Sequence, residues 1–164
     1  MTARLAVIRD EAKLSFGMLP QVLGYHLRRA QIAAFKHFAR TVTAAEGITP
    51  GLFGMLQVIA ANPGLAQNRL AEVMEVDRSA IFKVVNQLEG RGLIARTPSD
   101  HDRRSNCLTL TEGGLAALAR MEALVVAHET EFAGPLSPDE RATLTSLLQR
   151  LYRGQNDLPG GSRP

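Results

Sequence analysis

The clearest chemistry in the chain belongs to six polar or surface-type residues between Ser79 and Gln87: Ser79, Ala80, Phe82, Lys83, Asn86 and Gln87. They interleave with Ile81, Val84, Val85 and Leu88, which recur at i, i+3, i+4 and i+7 and mark the inward face of a helix. The six therefore face outward. Lys83 can donate to guanine or to phosphate. Asn86 and Gln87 can hydrogen-bond an adenine edge bidentately, and Ala80 and Phe82 offer apolar contact to thymine methyls. Phe82 fits a half-buried place in the core equally well. Upstream, Gln67, Asn68 and Arg69 open a shorter helical pattern, where side chains and helix N-terminal amides can bind phosphate.

Charge supports the same surface. Between Arg78 and Arg104 lie six cations, including Arg96, Arg103 and Arg104, against three anions, while the rest of the chain carries 13 of each. The whole formal net charge of +3 thus sits in one short segment, as a phosphate-facing surface requires. Arg supplies 16 of the 19 cations and suits bidentate phosphate and guanine contacts.

Other chemistries lack their residues. There is no glycine-rich phosphate loop, nucleophile elbow or clustered acid/base pair, so the chain is not expected to be an enzyme. His26, His37, His101 and His128 lack metal-ligand spacing, and with the single Cys107 no zinc site or internal disulfide is expected. Cys107 reads as a small apolar residue. No cofactor is implied. No apolar run reaches the length of a membrane span, and the start MTARLAVIRDEAK acquires acidic residues too early for a signal peptide, so a cytoplasmic protein is expected.

The elements that must position these residues are mostly helical. A chain of 164 residues, 45% apolar and only 5% aromatic, has room for one domain plus an oligomerisation extension, with a core of Leu, Val, Ala and Met. One long helical pattern runs from about Leu19 to Thr43 and ends at Gly47. Thr49-Pro50 signals an N-cap followed by proline at the first helical position, opening a helix to about Ala61. Its apolar residues are Leu52, Met55, Leu56 and Ile59. Two short helices follow, Gln67–Met74 with Leu70, Val73 and Met74 inward, and Asp77–Gly90 with Asp77 as N-cap. Two short helices joined by about three residues make a helix-turn-helix plan.

Leu93–Arg96 and Cys107–Leu110 then read as a strand pair, a wing. Thr111 caps a helix whose Leu115, Leu118, Met121, Val125 and Phe132 form a stripe suited to a partner helix. Ser137-Pro138-Asp139-Glu140 opens the last helix, with Leu144, Leu147, Leu148 and Leu151 on one face. Four regions are expected: a dimerisation helix region over 1–48, a DNA-binding domain over 49–111, dimerisation helices over 112–153 and a disordered Gly/Pro-rich tail over 154–164.

The run GLIARTPSDHDRRSNCLTLTEGG resembles the wing signature of the MarR family of winged helix-turn-helix transcriptional regulators. The matching elements are Gly92-Leu93, Arg96 closing the first strand, Asp102-Arg103-Arg104 at the wing tip, and Leu110-Thr111 opening the next helix. ITPGLFGMLQVI, PGLAQNRLAEVM and LSPDERATLTSLLQRL are similar as well, so the likeness spans residues 19 to 153. Phe82 departs from it, because the family more often has a small or polar residue there.

The resemblance implies a mainly α fold with a small β wing, a homodimer on a pseudo-palindromic double-stranded operator, and the helix from Asp77 to Gly90 in the major groove. It implies Arg104 in the minor groove, with Arg103 and Arg96 on phosphates, or Arg96 in an ion pair that braces the wing. It also implies a repressor released by a small aromatic or phenolic acid or its thioester, with His26, Arg29, Phe53 and Gln57 as candidate lining residues. The competing reading is a winged-helix protein–protein interaction module without ligand response. That module gives no reason to concentrate Arg103 and Arg104 at the wing tip.

Overall fold

The structure is a computed structural model that describes residues 14–98 and 106–156. It divides into two compact units, with the division between Lys36 and His37, earlier than residue 48.

In the first unit a short 3-10 turn, Leu19–Gln21, precedes most of the helix α1, Leu23–Phe38, whose last two residues, His37 and Phe38, belong to the second unit. This unit keeps much apolar surface in the open: Leu14, Phe16, Met18, Leu19, Leu23, Ile32 and Phe35 are all exposed. In the sequence, α1 is continued by a π-helical turn, Ala39–Thr43, and one last α-turn, Ala44–Glu46. The expected single long helix is therefore interrupted, with a π-helical turn between two α-helical segments. Gly47, in the left-handed region at φ 64°, stops it as expected.

The second unit holds the main core. Helix α2, Pro50–Ala61, starts at the expected cap, where the Thr49 hydroxyl accepts from the Leu52 amide. Leu52, Met55, Leu56 and Ile59 are all buried. Strand β1, Leu65–Ala66, leads into α3, Gln67–Val73, and α4, Arg78–Gly90. Strands β2, Ile94–Pro98, and β3, Asn106–Leu110, form the wing. Helices α5, Glu112–Phe132, and α6, Pro138–Asn156, complete the described chain.

The sheet is antiparallel, in the order β1-β3-β2. Arg96 pairs with Leu108 and Ile94 with Leu110, while β1 lies on the other side of β3, Leu65 opposite Leu108. Ile48, Leu56, Ile59, Leu70, Ile81, Val85, Leu88, Ile94 and Leu108 pack into one core with Ala117, Leu118 and Met121 of α5. At about 25 cal/mol per Å² of apolar surface, each of these side chains other than Ala117 contributes roughly 1.5–3 kcal/mol to burying α4 and the wing against α2 and α5.

Several expectations need correction. Val73 is exposed, and Ala71 takes the buried place beside Leu70, because a helix of two turns buries a narrower arc than its apolar residues offered. Asp77 stands at the N-cap of α4 with extended backbone, but its side chain caps nothing. Leu118 and Met121 belong to this unit's own core and not to a partner's, since periodicity cannot tell one buried face from another. Leu115, from the same stripe, is exposed. Strand β1 was not foreseen, as two residues show no alternation. The last helix runs past 153 to Asn156; the rest of the expected tail lies outside the described residues.

A candidate DNA-reading surface

Helix α4 presents all six expected residues to the outside: Ser79, Ala80, Phe82, Lys83, Asn86 and Gln87 are exposed. Ile81, Val85 and Leu88 hold the opposite face in the core, and Val84 is half-buried. The face is therefore fixed by packing. Turning the helix by one residue would expose three fully buried side chains, at a cost of several kcal/mol.

Phe82 is not a core aromatic: it is 52% exposed, with the Arg96 guanidinium over its ring at 5.8 Å. Arg96 itself is not a free phosphate ligand. Its Nε donates to Glu89 Oε2 at 3.0 Å, and its Nη2 donates to the same oxygen and to Asn86 Oδ1. The ion-pair alternative raised for it is what the structure contains. Hydrogen bonds from Arg96 hold the Glu89 carboxyl below the usual carboxylate range.

The start of α3 is more closed than expected. Gln67 is half-buried, with its side-chain oxygen unpartnered among the described residues. Asn68 Oδ1 accepts from the Arg69 amide at 2.9 Å, and the exposed Arg69 side chain is ion-paired with Glu72. Arg103 and Arg104, with Asp102, lie outside the described residues.

The base of the wing combines the expected Thr111 cap with contacts that spacing did not reveal. Thr111 Oγ1 donates to the Gly92 carbonyl at 2.6 Å and accepts from the Gly114 amide at 2.9 Å, while the Thr111 amide donates to the Leu93 carbonyl at 3.1 Å. Arg91, just beyond α4, donates to the carbonyls of Glu46 and Gly47 at 2.8 and 3.0 Å, and Arg120 of α5 binds the Glu46 carboxylate. The C-terminal end of α4 is thus tied to the segment that precedes α2.

The residues expected to line an effector cleft fall in both units. In the first, His26 Nε2 is 2.8 Å from the Pro20 carbonyl, and the exposed Arg29 donates to the Tyr25 hydroxyl at 3.2 Å and lies over its ring. In the second, Phe53 packs half-buried against the core, 6.4 Å from the Phe38 ring, and Gln57 donates to Glu122 at 2.8 Å. Nearby is a cluster the sequence did not disclose, because its members are far apart in the chain. The Nδ1 atoms of His37 and His128 are 2.6 Å apart, and Phe38 and Phe132 pack against the His128 ring. His128 is buried, and desolvation pushes its pKa below the ordinary value of 6.5. No group of three or more His, Cys, Asp or Glu among the described residues is placed to hold a metal ion. Nor is any single described helix long and apolar enough to cross a membrane.

Comparison with known proteins agrees with this geometry. The sequence pattern of the MarR family matches residues 46–105. A Thauera aromatica protein named for transcriptional regulation of the hcr operon is 56% identical over 154 residues, covering 94% of this chain and 93% of its own. The transcriptional repressor CouR bound to a 23-mer DNA duplex is 39% identical, with a TM-score of 0.82 over 85% of this chain and 99% of CouR. CouR bound to p-coumaroyl-CoA is 37% identical, with a TM-score of 0.78 over 86% of this chain and 99% of its own. The chain belongs to the MarR family of winged helix-turn-helix transcriptional regulators, which are not enzymes.

Proposed function

We propose that this regulator binds a pseudo-palindromic operator as a homodimer and represses transcription, with α4 in the major groove and Arg104 in the adjacent minor groove. The observation that carries the reading is the outward face of α4, where Lys83, Asn86 and Gln87 stand exposed beside Ser79 and Ala80 on a helix locked by its buried side. Gln67, Asn68 and Arg69 supply flanking phosphate contacts, as does Arg103. A dimer doubles these contacts and covers the apolar residues left open on α1 and α6.

The effector is a small aromatic acid or its thioester. Support comes from the likeness to CouR bound to p-coumaroyl-CoA and from the residue chemistry. Arg29 offers a cation for a carboxylate or phosphate, and Phe53 an aromatic face. His26 and Gln57 offer polar groups once they leave their present partners.

The test measures operator binding by fluorescence anisotropy across a salt series, with the duplex chosen by selection from a random library. About six to ten phosphate contacts per dimer would cost roughly 10³–10⁵ in affinity between 50 and 200 mM salt. Aromatic acyl-CoA thioesters and their free acids are then added, with an aliphatic acyl-CoA as control. Release by the aromatic compounds alone supports the effector reading; release by none of them overturns it. A flat salt response overturns the DNA-binding surface.

A further inference from the structure

We infer that Arg96 is a specificity-determining positioning residue: by holding the carbonyl oxygen of Asn86, it leaves Asn86 to meet DNA as a hydrogen-bond donor only. The inference rests on α4 being the DNA-reading helix.

Phe82, Asn86 and Glu89 stand at i, i+4 and i+7 and so form one stripe along α4. Arg96, in the middle of β2, lies along that stripe. Its guanidinium is over the Phe82 ring, its Nη2 donates to Asn86 Oδ1, and its Nε and Nη2 both donate to Glu89 Oε2. The Arg96 side chain is only 17% exposed, so its head is caught between strand and helix. Three partners spaced along one helix fix a planar fork far better than one would.

The consequence for Asn86 follows from its chemistry. A guanidinium has donors and no acceptor, so the Asn86 amide must turn its oxygen toward Arg96 and its NH₂ away. Flipping the amide would set donors against donors. Asn86 is itself exposed on the outward face. A bidentate contact with adenine needs an acceptor for the N6 amino group as well as a donor for N7. The oxygen keeps a second lone pair, but an oxygen turned toward Arg96 cannot lie alongside the NH₂ on an adenine edge, so Asn86 instead offers its NH₂ to the acceptor-only edge of guanine, O6 and N7. The reading of Asn86 as an adenine contact, natural from its residue type, is thereby changed by a residue on another element.

The experiment selects binding sites from a randomised duplex library with the full-length wild type, Asn86→Ala, Arg96→Met and Glu89→Gln, each checked for folding by circular dichroism. The wild type is expected to select guanine at one position of each half-site, and Asn86→Ala to lose selection at that position alone. Arg96→Met frees the Asn86 oxygen and should move the preference there toward adenine by about tenfold, with other positions unchanged. Glu89→Gln, which loosens Arg96 while leaving it in place, should move it the same way by less, and it decides the matter if Arg96→Met does not fold.

An unchanged preference in both the Arg96 and Glu89 variants overturns the inference. So does a uniform loss across all positions, adenine selected by the wild type at the Asn86 position, or an Asn86→Ala variant that selects like the wild type. If the wild type enriches no sequence at all, the DNA-reading premise fails instead, which separates that failure from a failure of Arg96's role.

Discussion

Gly114 packs so closely against Leu93 that a Cβ added to it would stand 1.9 Å from the Leu93 carbonyl oxygen and 2.8 Å from its carbonyl carbon. This contact presses the first turn of α5 onto the segment joining α4 to β2. It holds α4 and the wing to the helix that carries them.

Gly114→Ala is therefore expected to destabilise the protein. Helix propensity alone favours alanine by about 1 kcal/mol. The clash is with backbone that cannot rotate away, and overpacking of this kind costs roughly 1–3 kcal/mol or more. Gly113→Ala is the control, since its nearest neighbours would be at an ordinary 3.7 Å. Thermal melts should show a lower Tm for Gly114→Ala and an equal or higher one for Gly113→Ala. Equal behaviour of the two would contradict the close approach.

The His37–His128 pair makes stability depend on pH. Desolvation lowers the folded-state pKa of His128 below 6.5; Glu129 and Glu131 oppose the shift, and His37 adds to it. The unfolded chain then takes up a proton that the folded chain refuses. This contribution to stability is complete above about pH 6.5 and is lost as pH falls through the depressed value. His128→Asn keeps a hydrogen-bonding group near His37 and removes the titration. Between about pH 7.5 and about pH 5.5 the wild type should lose more Tm than His128→Asn. Parallel curves would assign the acid sensitivity elsewhere.

Leu144, Leu147 and Leu151 share one face of α6 and are 46%, 50% and 37% exposed. A second copy of the chain burying what remains exposed would gain about 1 kcal/mol per leucine. Leu147→Glu should raise the dimer dissociation constant by about tenfold or more, as read by sedimentation. A dimer of unchanged strength would place the interface away from this face.

The sequence was most legible where one residue type does one local job. Thr49-Pro50 and Thr111 each made the expected cap, and so did Ser137, whose hydroxyl accepts from the Glu140 amide. The outward face of α4 followed from the spacing of Ile81, Val85 and Leu88. Legibility failed where the partner is distant in the chain. Arg96 could be a phosphate ligand or a brace until Glu89 and Asn86 were placed beside it. Leu118 and Met121 carry a helical stripe that fits a partner or a core equally well. His37 and His128 show no spacing signal because 91 residues separate them. Asp77 has the right type and backbone for a cap, yet makes no capping bond.

The central claim is that the outward face of α4 reads base edges, and its most direct test compares two duplexes. Affinities of wild type, Lys83→Ala and Gln87→Ala are measured on the selected operator and on a scrambled duplex of the same length and composition. Both residues are exposed and lie outside the core, so neither change should disturb folding. If they read bases, each substitution costs about 1–3 kcal/mol per half-site on the operator and far less on the scrambled duplex. Equal losses on the two duplexes, or no loss on either, would contradict the assignment of α4 as the reading helix.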